Sequence, residues 1–213
     1  MLGELEITPF FIKNVLSFQL IHKMFLCGLS CLGRVERLSF FCMKEKLKSK
    51  FKWQYWDLLF DKAEEYSINP LVLASLVFVE SSGSTTAMRY EPNFRWIYNP
   101  KEVAEKWNCT EEMALLMQKT SWGLGQVMGS VTIDHGIYNI LPFNQPSILL
   151  IPKYGLDFAC KHWKKFSKKY KTKEEIYAAY NSGSVRRTKN GEFENAWAVV
   201  KFEKKYKEFS IQI

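Results

Sequence analysis

Glycine and proline are scarce in this chain, 11 and 7 among 213 residues, which excludes a collagen-like protein and a low-complexity linker. Hydrophobic residues make up 47% and aromatic residues 15%, so a disordered chain is excluded and one sizeable core is expected. Neither apolar run near the start, Asn14–Ile21 or Met24–Gly33, approaches the roughly 18–20 residues that cross a bilayer, and no integral membrane span is predicted. The five cysteines follow no regular spacing, which argues against a disulfide framework. Cys27 and Cys31 have no matching His or Cys pair downstream, so zinc is rejected, and Cys109 and Cys160 are read as unpaired thiols. Aspartate is limited to Asp57, Asp61, Asp134 and Asp157. Arginine, the usual reader of base edges, is sparse, and without a recognisable module no nucleic-acid partner is expected.

What is abundant is lysine. Thirty Lys and Arg against 22 Asp and Glu give a net charge of +8 and a pI near 9.1, which points to an anionic partner such as nucleic acid, acidic lipid or cell wall. Lys161, Lys164, Lys165, Lys168 and Lys169 fall at helical spacing, opposite Ala159, Trp163, Phe166 and Tyr170. That stripe is the solvated face of an amphipathic helix or a patch for an anionic surface.

Residues 1–42 differ from the rest. Glu4 and Glu6 precede Lys13, unlike the basic start of a secretory signal. The coherent pattern begins near Met43, so two parts are expected: an apolar extension over 1–42, either an upstream reading-frame addition or a weak targeting segment, and a working domain over 43–213.

Beyond Met43 the pattern is mainly α. Trp53, Trp56, Phe60 and Ala63 mark a helix to about Tyr66. Asn69-Pro70 provides a cap and an N1 proline for a helix through Leu71–Glu80, closed by Ser81-Ser82-Gly83. Thr110 before Glu111 and Glu112 starts another helix. Asn144–Pro146 opens a helical region kinked or restarted at Pro152. Thr172 with Glu175 forms a capping box, Gly183 closes that helix, and a last one covers roughly 193–209. No alternating run marks a strand.

Glu80 ends Leu71–Val79, nine residues without a charge. A carboxyl at the end of a buried helix is desolvated, which favours its protonated form and suits a general acid; the bland alternative is a helix-terminal Glu facing water. Ser121-Trp-Gly123-Leu124-Gly125-Gln126 is a glycine-containing turn with one amide, and Ala179-Tyr180-Asn181-Ser-Gly183 puts a phenol and an amide at a helix end.

In this order, Glu80-Ser81, Ser121-x-Gly123-Leu124-x-Gln126 and Ala179-Tyr180-Asn181-x-Gly183 resemble the lysozyme-like lytic transglycosylases, a group that includes goose-type lysozymes and phage wall-cleaving proteins. The resemblance covers roughly residues 50–210, and Arg89-Tyr-Glu-Pro-Asn-Phe94 is similar to a stretch in phage-type members. It implies a lysozyme-like single domain with a substrate cleft, acting on peptidoglycan outside the cytoplasmic membrane, as a monomer and without cofactor or metal. It also implies that Glu80 is the only catalytic acid and base. Tyr180 would hydrogen-bond Glu80, Ser81 and Gln126 would contact Glu80 or the sugar, Asn181 would support a loop or bind substrate, and the backbone of Gly123 and Leu124 would line the cleft.

Gly125 departs from the usual Met of the second motif, which suggests a more open cleft wall. Ala198-Val-Val-Lys201 lacks a tyrosine common in the closing helix, and Trp197 is the nearest substitute. Glu91 is the best candidate for a second carboxylate, although a salt bridge is the expected role. Two alternatives remain: a goose-type muramidase that hydrolyses the same bond, and a non-catalytic wall-binding structural protein.

Overall fold

An unbroken apolar run needs cover on all sides, and in the computed structural model Leu71–Val79 lies in a helix that has it. The structure describes residues 31–142 and 144–212, with side chains from Phe40 onward. The chain divides between Lys46 and Leu47 into two units. Of the first, only part of helix α1 (Cys31–Lys50) is described; it runs continuously through Met43. Most of the 1–42 extension and Cys27 lie outside the described residues. No helix among the described residues is long and apolar enough to cross a membrane.

The second unit is mainly helical. Helices α2 (Trp56–Glu65) and α3 (Pro70–Ser81) come first. A short strand β1 (Met88–Tyr90) precedes α4 (Pro100–Trp107) and α5 (Glu111–Gln118). Strands β2 (Thr120–Trp122) and β3 (Val127–Met128) lead into α6 (Gly129–Asp134). After a 3-10 turn at Pro146–Leu150 come α7 (Pro152–Ser167), α8 (Lys173–Ser182) and α9 (Ala196–Ser210).

Helix α3 is the axis. Every residue from Pro70 to Val77 is buried, as expected of a helix that is apolar all round. Asn69 Oδ1 accepts from the Leu71 N–H at 2.9 Å, and Pro70 occupies the first turn, where its missing N–H costs nothing. Helix α9 packs along α3. At their common end the Phe78 ring stacks on Trp56 at 5.7 Å and meets Phe209 edge-on at 5.4 Å. Helix α7 is tied to α2 by Asp157, which accepts from Lys62 at 2.8 Å, Tyr66 at 2.9 Å and Lys161 at 2.9 Å.

The other helix starts read from the sequence stand where their caps do. Thr110 accepts from the Met113 N–H and Thr172 from the Glu175 N–H, each at 3.2 Å. The region after Asn144 does restart at Pro152, as a 3-10 turn followed by α7. The expectation of no strand is corrected by a three-stranded antiparallel sheet in the order β1-β2-β3, with Arg89 opposite Ser121 and Ser121 opposite Met128. Strands of two or three residues are too short to show a period of two.

The lysine stripe is shorter and less free than its spacing suggests. Helix α7 stops at Ser167, so Lys168 and Lys169 lie beyond it. Lys161 pairs with Asp157 at 2.9 Å and Lys165 with Asp134 at 3.0 Å.

Candidate active site

The end of α3 delivers Glu80 to the edge of the core. Ser82 takes the left-handed conformation at φ 53° and Gly83 follows at φ 77°, so the chain turns away two residues after the acid. Trp53 locks that exit by donating its indole N–H to the Gly83 carbonyl at 2.8 Å. Glu80 is half-buried as a residue, yet its carboxyl is packed so closely that burial pushes it up to about 7. Desolvation is the dominant cause. A hydrogen bond from Tyr177 and the positive charge of Arg89 oppose it without overcoming it.

Tyr177 comes from α8 and donates its phenol to Glu80 Oε1 at 2.8 Å. Its ring is fixed by stacking between Tyr180, at 6.5 Å, and Phe202 of α9, at 4.4 Å. Burial and the adjacent carboxylate both push the Tyr177 phenol well above its usual value, so it is a permanent donor. The expectation that Tyr180 holds Glu80 is therefore corrected. Tyr180 lies about 4.5 Å further along the helix axis, where its hydroxyl donates to the Gly125 carbonyl at 2.6 Å.

The turn between β2 and β3 is built around its glycines. Gly123 has φ 65°, and a Cβ there would lie 2.1 Å from the Leu149 carbonyl oxygen. A Cβ on Gly125 would lie 2.5 Å from Ala159 Cβ and 2.8 Å from the Tyr180 hydroxyl. The expected open wall is thus corrected: a side chain at 125 would point into the core against α7, and its absence lets turn and helix touch.

Gln126 sits at φ 47°, a strained conformation for a residue with a Cβ. It is held there by its own amide, which donates to the Ala87 carbonyl at 3.0 Å and the Gly123 carbonyl at 2.9 Å and accepts from Ser121 at 2.8 Å. The Ser81 hydroxyl shares its one hydrogen between the Val77 and Leu124 carbonyls, each at 2.9 Å. Ser81 and Gln126 are expected to contact Glu80 or sugar; among the described residues neither bonds Glu80, and their bonds staple α3 to the turn and the turn to the approach of β1. Leu124 is fully buried and offers only backbone. Asn181 accepts from Asn195 at 3.1 Å, and Asn195 also donates to the Ala178 carbonyl at 3.0 Å, which joins the end of α8 to the start of α9. Just beyond, Trp197 is exposed while Ala198 is buried.

Two residues that act on Glu80 were not assigned that role from sequence, Tyr177 and Arg89. Tyr177 stands one turn before Tyr180 on the same face, so spacing marks it as a candidate without choosing between the two phenols. Arg89 was visible only as part of the Arg-Tyr-Glu-Pro stretch. Glu91 forms the anticipated salt bridge, with Arg89. Among the described residues no group of His, Cys, Asp or Glu is arranged to hold a metal ion.

A protonatable carboxyl titrating near 7, steered by a phenol that never ionises, can give and retake a proton at neutral pH. The family model of the transglycosylase SLT domain matches residues 57–198, which includes Glu80, the Gly123–Gln126 turn and all of α8. Comparison with curated proteins and with solved structures finds no match. The chain belongs to the transglycosylase SLT domain family, the lytic transglycosylases that act on the peptidoglycan of the bacterial cell wall.

Proposed function

We propose that the domain cleaves the β-1,4 bond between N-acetylmuramic acid and N-acetylglucosamine with Glu80 as its single acid and base. The protonated Glu80 gives its proton to the glycosidic oxygen as the bond from muramic acid C1 breaks. The substrate's own acetamido oxygen stabilises C1. The C6 hydroxyl of the same sugar then attacks C1, and Glu80 carboxylate takes the hydroxyl proton, which leaves a 1,6-anhydro ring and restores the acid. No water is consumed, and the attacking group is held on the reacting sugar, which replaces a bimolecular encounter.

The observation that carries this reading is the Glu80 carboxyl at about 7 with Tyr177 as its only hydrogen-bond donor among the described residues. Glycosidases that activate water ordinarily use two carboxylates. Among the described residues, no carboxylate is among the groups that shift Glu80. Asp134 and Asp157 are engaged with Lys165 and Lys62, and Glu91 with Arg89. Ser81, Gly123, Leu124, Gln126, Tyr180 and Asn181 serve substrate binding by shaping the wall beside Glu80. We assign this work to residues 43–213 and wall retention to the lysine stripe. Mass spectrometry of digested peptidoglycan tests the reading: anhydro-muramic ends, lighter than reducing ends by one water, are expected, and reducing ends alone would establish a muramidase.

A further inference from the structure

Successive side chains of a strand point to opposite faces, so a strand packed on a core hides every second one. In β1 all three residues are exposed, whereas in β2 all three are buried. Both faces of β1 are open, and it is an edge of its sheet. The exposure continues along the chain to Trp96, Ile97 and Tyr98, and Trp96, at 68%, is the most exposed tryptophan of the second unit.

This segment is nevertheless held in place. The Glu91 N–H donates to the Lys119 carbonyl at 2.8 Å, and Lys119 Nζ donates to the Pro92 carbonyl at 3.0 Å. At the far end the buried Gln118 amide accepts from the Tyr98 N–H at 2.7 Å and donates to the Tyr98 carbonyl at 3.3 Å. Phe94 meets Trp96 edge-on at 5.6 Å. At the near end the Ala87 carbonyl takes the Gly123 N–H at 2.8 Å and the Gln126 amide at 3.0 Å, which ties the segment to the turn beside Glu80. A large exposed apolar surface on a clamped loop is a preorganised binding surface, because docking there orders little that is not already ordered.

Its charge narrows the occupant. Two of the four arginines with described side chains, Arg89 and Arg95, lie in the segment. Arg89 is paired with Glu91. Arg95 is exposed and its side chain has no hydrogen bond or ion pair among the described residues, so its planar fork is available for a carboxylate. A guanidinium pairs bidentately with a carboxylate but makes only single hydrogen bonds to neutral hydroxyls, so an exposed Arg95 beside Trp96 favours a ligand that carries both carboxylate and apolar groups. A peptide of small apolar and carboxylate-bearing residues uses both.

We infer that Met88–Tyr98 is a docking arm for the peptide stem carried by muramic acid, with Arg95 binding a stem carboxylate and Trp96 covering apolar stem groups. The inference rests on the peptidoglycan reading above and adds a preference for stem-bearing strands.

Calorimetric titration with soluble glycan strands, intact or stripped of stems by an amidase, separates the two. The unaltered chain should bind stem-bearing strands about tenfold more tightly than stripped ones, equivalent to about 1.4 kcal/mol. Arg95→Ala/Trp96→Ala, at two solvent-facing positions whose folding is checked by circular dichroism, should abolish that difference and leave stripped-strand affinity within about twofold. The inference is overturned if the unaltered chain shows no stem preference, if the preference survives the double change, or if both strands weaken equally, since the arm would then contact sugar. Anhydro-end formation is measured separately on whole wall, so loss of the proposed reaction and loss of stem docking are read independently.

Discussion

Tyr177 donates to Glu80 Oε1 at 2.8 Å, while Tyr180, three residues on, gives its hydroxyl to the Gly125 carbonyl at 2.6 Å. One face of α8 thus divides two tasks: the first phenol orients the acid and the second fixes the turn beside it.

Tyr177→Phe should keep the stacking between Tyr180 and Phe202 and lose only the bond to Glu80. A reduction in kcat of about tenfold is expected, the consequence of losing one orienting hydrogen bond of about 1–1.5 kcal/mol. That bond holds the Glu80 carboxyl down, so its loss should also move the alkaline limb of the pH profile upward. Tyr180→Phe should leave that limb in place and lower thermal stability instead. Rate profiles and melting curves of both variants check this division.

The protonated form of Glu80 starts the proposed reaction, so kcat/KM should be level below pH 7 and fall above it with an apparent pKa near 7. The same titration affects stability with a definite sign. The folded carboxyl titrates near 7 and the ordinary value is 4.5, so between them the folded chain keeps a proton that the unfolded chain has released. The burial penalty is absent below 4.5 and grows as pH rises through 7. Glu80→Gln should therefore abolish turnover yet raise stability at pH 8, by up to about 3 kcal/mol at 1.36 kcal/mol per unit, with no gain at pH 4. Denaturant titrations at the two pH values measure it.

Much of this site was legible because its causes are local. Asn69-Pro70, Thr110 and Thr172 start helices through side-chain bonds made within three residues, and the uncharged Leu71–Val79 run forces a buried axis ending in Glu80. The role of Tyr177 was not legible, because spacing alone leaves two phenols on one face and only the packing of α8 against α3 and the turn selects between them. Gly125 reads as a missing side chain until Ala159, 34 residues later, is found against it. Gln126 reads as a polar contact, and only its bonds to Ser121, Ala87 and Gly123 show that its amide is engaged in holding the turn. The short sheet escaped because its pairing, unlike a helix, is not written in neighbouring residues.

Gly125→Ala tests that reading of the turn. The new methyl would meet Ala159 Cβ at 2.5 Å and the Tyr180 hydroxyl at 2.8 Å, and neither neighbour has a flexible end to withdraw. Overpacking of this kind costs about 1–3 kcal/mol. Unlike an open-wall substitution, it should lower the melting temperature together with kcat. A variant with unchanged stability and altered KM would show that position 125 faces substrate.

The lysine stripe should act through unscreened charge. Lys161 and Lys165 already have carboxylate partners, so Lys164, Lys168 and Lys169 carry the effect. Lys164→Gln/Lys168→Gln/Lys169→Gln should weaken retention on whole wall at low salt and do nothing at 0.5 M salt, where screening shortens the range to about 4–5 Å. Turnover of short neutral fragments should stay unchanged in both. Sedimentation of the chain with purified wall across a salt series reads the difference.

His135 and His162 meet at 3.0 Å through Nε2 and Nδ1, and one of the two nitrogens must carry the shared hydrogen. The His162 ring also lies 4.7 Å from Tyr180, on the side of α8 that holds the catalytic turn. Lys165 and Lys161 face the pair with positive charge, and Asp134 offsets them only in part. Burial is the main cause that holds His135 down to about 4 and His162 to about 3, from an ordinary value of 6.5. Both rings are therefore neutral in the fold at pH 6, where an unfolded chain takes up protons. Their contribution is full above 6.5 and is lost as pH falls toward 4, at about 1.4 kcal/mol per pH unit for each proton involved. Glu80 offsets one proton of this loss between 7 and 4.5, so melting temperature should drop by the remainder through this window, above the range in which Asp134 and Asp157 lose their partners. In His135→Gln, which removes one titrating ring and its charge on the other, the slope between pH 6.5 and 4 should flatten by about one proton, and a slope equal to that of the unaltered chain would place the acid sensitivity elsewhere.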